Sequence, residues 1–159
     1  MVKLQPGQSV LDIATGTGLA AIAAAEIVGP TGRVLGTDFA CGMLQQAQQK
    51  VKARGLTNIK FEQVDADQQQ LQQSQFDAIL CSSAIVYLTD IPALLCRWHN
   101  ALKPKGVIAF SCLAETCSIK RVQSATLRYF ACLFPASTGA SERLTLHRLT
   151  SRAVLVISF

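Results

Sequence analysis

Three aspartates stand where this chain could do chemistry. Asp12 sits inside the apolar run Val10-Leu11-Asp12-Ile13, just before the turn Ala14-Thr15-Gly16-Thr17-Gly18. A carboxylate in a buried strand needs a hydrogen-bond partner or a ligand. Asp38 follows a second apolar run, Val34-Leu35-Gly36-Thr37, and Asp65 follows a third at 59–64. Each acid alone reads equally well as a turn or cap residue. Three acids at three successive strand ends point to a shared ligand edge, because open α/β sheets bind ligands beyond the carboxyl ends of their strands. The glycine turn fits the same place. It leads straight into an Ala-rich helix, so backbone N–H groups and a helix N-terminus face that crevice.

Short apolar runs alternate with helical patterns along the chain, which predicts a parallel sheet covered on both faces. Strands are expected at Ser9–Ile13, 33–37, 59–64, 76–81 and 107–112. Helices are expected at Leu19–Val28 and at 42–54, where Met43, Leu44, Ala47 and Val51 share one face. A further helix starts with Asp90 as N-cap and Pro92 in its first turn, and carries Leu94, Leu95, Trp98 and Leu102 toward the sheet. Residues 119–134 read as another helix, 141–149 as a short one, and 153–157 as a last strand. The glutamine-rich tract 68–75 offers no apolar face and reads as a surface loop or solvated turn.

Composition narrows the classes. Half of the 159 residues are apolar and 16% are charged, which suits one globular domain over residues 1–159 and argues against disorder. No apolar run approaches the ~18 residues of a membrane span, and no basic segment followed by an apolar stretch opens the chain. A soluble, cytoplasmic protein is the expectation. None of the six cysteines forms a Cys-x-x-Cys pair, so buried thiols in a reducing compartment are expected rather than zinc or disulfides. The net charge of +5 lies in residues 119–159, while residues 1–118 balance. No aromatic interleaving or dense basic run accompanies that surplus. A solvated helix face is expected, and no nucleic-acid partner.

The wording VLDIATGTG resembles the first motif of class I S-adenosylmethionine-dependent methyltransferases. Asp38, Asp65-Ala66-Asp67, Phe76-Asp77-Ala78-Ile79-Leu80-Cys81 and Leu102-Lys103-Pro104-Lys105-Gly106 match that family's later signposts in order, over roughly residues 8–113. The nearest flavour is the type 11 group, which includes quinone-biosynthesis C-methyltransferases. The resemblance implies a Rossmann-like three-layer α/β sandwich with strands in the order 3-2-1-4-5. One further C-terminal strand is expected, docked in parallel beside strand five or weakly held, with the family's seventh strand missing.

It also implies roles. Asp38 would accept the ribose hydroxyls of S-adenosylmethionine, Asp65 the adenine amino group, and the Ala66 N–H would donate to the ring. Phe39 and Met43 would pack on the adenine; they read equally as core. Ala14, Thr15, Gly16 and Gly18 would bring backbone to the methionine end, and Asp12 would orient its α-amino group. Ser82 would complete the cofactor contacts, with Ser83 and Tyr87 toward the acceptor. No catalytic residue and no metal ligand is assigned. The implied activity is methyl transfer to a small-molecule acceptor. Two positions depart from the pattern: Ala14 stands where Gly is frequent, and Ala40 where a Ser often caps the next helix.

Two other readings stand beside this one. Gly16-x-Gly18-x-x-Ala21 with Asp38 matches a loose dinucleotide fingerprint, which would suit an NAD(P)-binding oxidoreductase. Asp12 and Asp65 have no use there, and no Tyr-x-x-x-Lys pair accompanies it. The few residues before Val10 and the expected shortage of strands suit a truncated cofactor-binding module of weak or no activity. A partner or self-association would then cover the C-terminal sheet edge.

Overall fold

The computed structural model describes residues 2–113, 124, 143–148 and 152–158. Its elements run β1 (Ser9–Ile13), α1 (Leu19–Val28), β2 (Arg33–Asp38), α2 (Cys41–Ala53), β3 (Ile59–Gln63), β4 (Phe76–Ser82), a 3₁₀ turn (Ile85–Tyr87), α3 (Ile91–Ala101), β5 (Leu102–Leu113), β6 (Arg143–Arg148) and β7 (Arg152–Ser158). One sheet holds the described strands in the order β3-β2-β1-β4-β5-β7-β6. The first five are parallel, as the alternating pattern requires.

β1 is buried along its whole length, so its successive side chains serve opposite faces. Val10 packs with Ala21, Ala25, Val28 and Val34 under α1. Leu11 and Ile13 pack with Ile79, Leu94 and Trp98 under α3. Gly18 marks the closest approach within the first layer. Its φ is +80°, and a Cβ there would sit 3.0 Å from the Ala47 Cβ and 3.2 Å from the Phe61 ring, so only glycine lets α1 start so close to α2 and β3.

The helix ends follow their sequence signals. The Asp90 carboxylate accepts from the Ala93 N–H at 3.1 Å and starts α3. Gly55, at φ +65°, closes α2 while the Leu56 N–H returns to the Val51 carbonyl. Asp77, expected to be structural, accepts from the Ser9 N–H and from Lys103 Nζ at the sheet's far end.

The C-terminal expectation is corrected. A last strand does lie beside β5, but β7 is antiparallel to it, residues 143–148 are strand and not helix, and the seventh strand expected to be missing is present. β6 occupies that stretch and pairs antiparallel with β7. Leu144 and Leu146 alternate with Arg143, Thr145 and His147, which is a strand period. The short link at 149–151 then permits only antiparallel neighbours. The β5 edge is thus covered by the chain itself. β5 also begins earlier than expected, at Leu102, with its register against β4 shifting between Phe76 and Ala78. Apart from Ser124, which is helical, the expected helix 119–134 lies outside the described residues. So does most of the basic C-terminal stretch.

The glutamine tract is a loop, as expected, yet not a purely solvated one. Gln69 is buried and its Oε1 accepts from the Thr37 hydroxyl at 3.3 Å. Arg97 holds the same loop from α3 by donating to the Asp67 carbonyl at 2.7 Å. Among the described residues, no helix is long and apolar enough to cross a membrane.

Candidate functional site

The parallel register brings the first two acids to neighbouring strand ends. Asp12 pairs with Gly36 on β2 and with Leu80 on β4, and Ile13 pairs with Thr37. The Thr15 N–H then donates to the Thr37 carbonyl at 2.9 Å, folding the turn over the end of β2. One Asp38 oxygen accepts from the Gly16 N–H at 2.8 Å and the other from the Ala40 N–H at 2.9 Å. Asp38 therefore latches the glycine turn to the start of α2, and each oxygen keeps acceptor capacity for a ligand.

Asp12 is the most unusual group of the rim. It is 1% exposed; Oδ2 accepts from the Thr15 hydroxyl at 2.6 Å, and Oδ1 is buried with no partner. Burial pushes its pKa up to about 7, against the Thr15 hydrogen bond and the Ala21 backbone, with repulsion from Asp38 adding to the rise. Below it, the Cys81 thiol is pushed far up by burial and by the Asp12 charge, so it stays neutral. A buried carboxylate oxygen without a donor is costly unless a ligand supplies one.

The remaining expected residues occupy the same edge with different surroundings. Asp65 follows Val64, whose N–H donates to the Asp38 carbonyl at 3.0 Å. Its carboxylate is exposed and accepts from the Asp67 N–H and Gln68 Nε2. Ala66 is half-buried against the α3-side core. Phe39 and Met43, which read equally as core, are 74% and 45% exposed, so the rim carries uncovered apolar surface. Nothing stands within 4 Å of where a Cβ at Gly16 would be, which leaves space above the turn. Ala14 adopts a φ of +52°, a left-handed backbone that favours Gly, and so is more than a mild departure.

Ser82 ends β4, two residues beyond the Asp12–Leu80 pair, and its hydroxyl lies 3.4 Å from that of Ser111 on β5. Ser83 follows with a φ of +64°, its N–H held by the Ser111 carbonyl and hydroxyl. Tyr87 stands beyond it, 83% exposed. Sequence reasoning missed two supports of this rim: the Thr37–Gln69 contact, and the Asp67 carboxylate, which accepts from the Thr89 hydroxyl at 2.7 Å and ties the Asp65 loop to the segment after β4. No local signal marks either.

This glycine turn, latched between carboxylates at the carboxyl end of a 3-2-1-4-5 sheet, defines a Rossmann-like nucleoside-binding class of fold. The chain belongs to the methyltransferase domain family, whose model matches residues 4–149. It is 38% identical over 106 residues to the demethylmenaquinone methyltransferase of Geobacillus stearothermophilus, covering 67% of this chain and 45% of that protein. It is 37% identical over 105 residues to the aklanonic acid methyltransferase DauC of Streptomyces sp. (strain C5), covering 66% and 48%. The chain thus spans about half the length of the curated relatives it matches. In structure it is similar to a SAM-dependent methyltransferase from Aquifex aeolicus, with a TM-score of 0.81 at 19% identity over 98% of this chain and 84% of that one. Membership of this family displaces the dinucleotide-oxidoreductase reading.

Proposed function

We propose that residues 1–159 act as one domain that binds S-adenosylmethionine at this rim and serves methyl transfer to a small-molecule acceptor. The observation that carries the reading is the buried, unpartnered Oδ1 of Asp12 beside the family's glycine turn. An α-ammonium group is the donor it lacks. Asp38, already oriented by two backbone N–H groups, would take the ribose hydroxyls, and Asp65 with the Ala66 N–H the adenine edge. Phe39 and Met43 would cover the adenine faces, which accounts for their exposure. Ala14, Thr15, Gly16 and Gly18 would line the methionine end, and Ser82 would close the side toward β4.

The bound cofactor supplies a methyl group activated by its positive sulfur. The chain's task is then alignment and exclusion of water, and alignment alone is worth up to about 7–11 kcal/mol. No general base is assigned, and none is required for a carbon or acidic-oxygen nucleophile. The names of the relatives, demethylmenaquinone and aklanonic acid methyltransferases, support a small-molecule acceptor over nucleic acid. The cytoplasm is the location that fits this role.

Titration calorimetry with S-adenosylhomocysteine and with NAD tests the site. The first is expected to bind more tightly, and Asp65→Ala and Asp38→Asn each to weaken it by about tenfold or more. Tighter binding of NAD, or unchanged affinity in both variants, overturns the proposal. A methyl-transfer assay with quinol-type acceptors then reads the activity itself.

A further inference from the structure

Among the described residues, no strand pairs with the outer edge of β3. Open edges invite strand addition, and proteins blunt them with charge, bulges or cover. β3 is five residues long, regular against β2, and reads Ile59-Lys60-Phe61-Glu62-Gln63. The Val34 N–H donates to the Asn58 carbonyl and the Val64 N–H to the Asp38 carbonyl. Both N–H and C=O of one strand residue point the same way and alternate along the strand, so Asn58, Lys60, Glu62 and Val64 face β2. The backbone groups of Ile59, Phe61 and Gln63 therefore face outward.

That phase fits a second copy of the same strand. In an antiparallel pair centred on Phe61, Phe61 meets Phe61 of the second copy, and Ile59 meets Gln63, as hydrogen-bonded pairs. Lys60 then falls opposite Glu62 of the second copy in the non-hydrogen-bonded pair, where side chains are closest. The two-fold axis repeats the contact, so every Lys60 meets a Glu62. Both side chains are exposed, and neither makes an ion pair within the chain among those described. Charge that would repel an arbitrary strand is complementary to its own copy. Beside β3 lies a groove of about 480 Å³, lined by the apolar Val51, Leu56 and Phe61 together with Gln48, Lys52 and Glu62. Pairing along β3 would cover it.

We infer that β3 is a self-association edge, pairing antiparallel through Phe61 with β3 of a second copy of this chain to join two sheets into one. The Gln63 end of this edge adjoins the rim, where Gln63 Nε2 donates to the Phe39 carbonyl at 3.0 Å, but the pairing does not depend on the cofactor reading.

Sedimentation velocity across a wide range of protein concentration tests it, with circular dichroism to read the fold. The unmodified chain is expected to form dimers. Glu62→Lys and Lys60→Glu are each expected to weaken them about tenfold or more, although they shift the net charge in opposite directions. The double variant Lys60→Glu/Glu62→Lys restores the opposite-charge pairs and is expected to restore the dimer. A chain that stays monomeric, a dimer indifferent to both single changes, or a double variant that remains dissociated overturns the inference.

Discussion

Burial makes the charged form of Asp12 costly. With its pKa near 7 in the folded chain and near 3.8 when unfolded, the folded form keeps a proton that the unfolded form releases between about pH 4 and 7. Rising pH through that window therefore favours the unfolded state, and above it the loss is constant at about 4 kcal/mol. Urea unfolding from pH 4 to 8 is expected to show this slope in the native chain and its absence in Asp12→Asn. Parallel pH profiles for the two would sink the account. An ammonium donor at Oδ1 favours the carboxylate, so S-adenosylhomocysteine binding at pH 6 is expected to release a proton, seen as buffer-dependent heat in calorimetry. The acids themselves were legible in the sequence, because strand-end position is a local property. The isolation of Oδ1 was not. Nor was the Thr37–Gln69 contact, which joins residues 32 apart only once the loop after β3 has folded over the sheet.

At the level of elements, α2 starts without a side-chain cap. Ala40 holds the N-cap with extended backbone, φ −88° and ψ 100°, and its carbonyl already accepts from the Met43 and Leu44 N–H groups. The backbone is thus poised for a capping hydroxyl that alanine does not offer. Ala40→Ser is expected to stabilise the chain by about 0.5–1 kcal/mol without weakening cofactor affinity, since the Asp38 contact uses the backbone N–H of residue 40. Thermal unfolding with parallel calorimetry checks both halves. The helices and the five parallel strands could be read because their signals, Asp90 with Pro92, Gly55 and the apolar runs, lie within one turn or one strand. The last strand is expected at 153–157, but its hairpin partner β6 reads as a short helix: the period-2 signal of Leu144 and Leu146 spans only six residues, and pairing with β7 is what fixes it as a strand.

On the scale of the whole molecule, the last described strand packs into the same core as β1 and α3. Ile157 on β7 is fully buried, pairs in register with Ile108, and packs in one cluster with Leu11, Trp98 and Phe110. The two sheet halves are therefore a single packing unit, and loss of apolar volume at Ile157 should be felt as a core cavity. Ile157→Ala is expected to cost about 2–5 kcal/mol, against well under that for the half-exposed Ile27→Ala on α1. Guanidinium unfolding followed by tryptophan fluorescence reports directly, because Trp98 lies in that cluster. If β7 were a loosely added edge, the substitution would leave the Trp98 transition in place. A shift of that midpoint with an unchanged slope would instead place β7 in the same cooperative unit as β1 and α3.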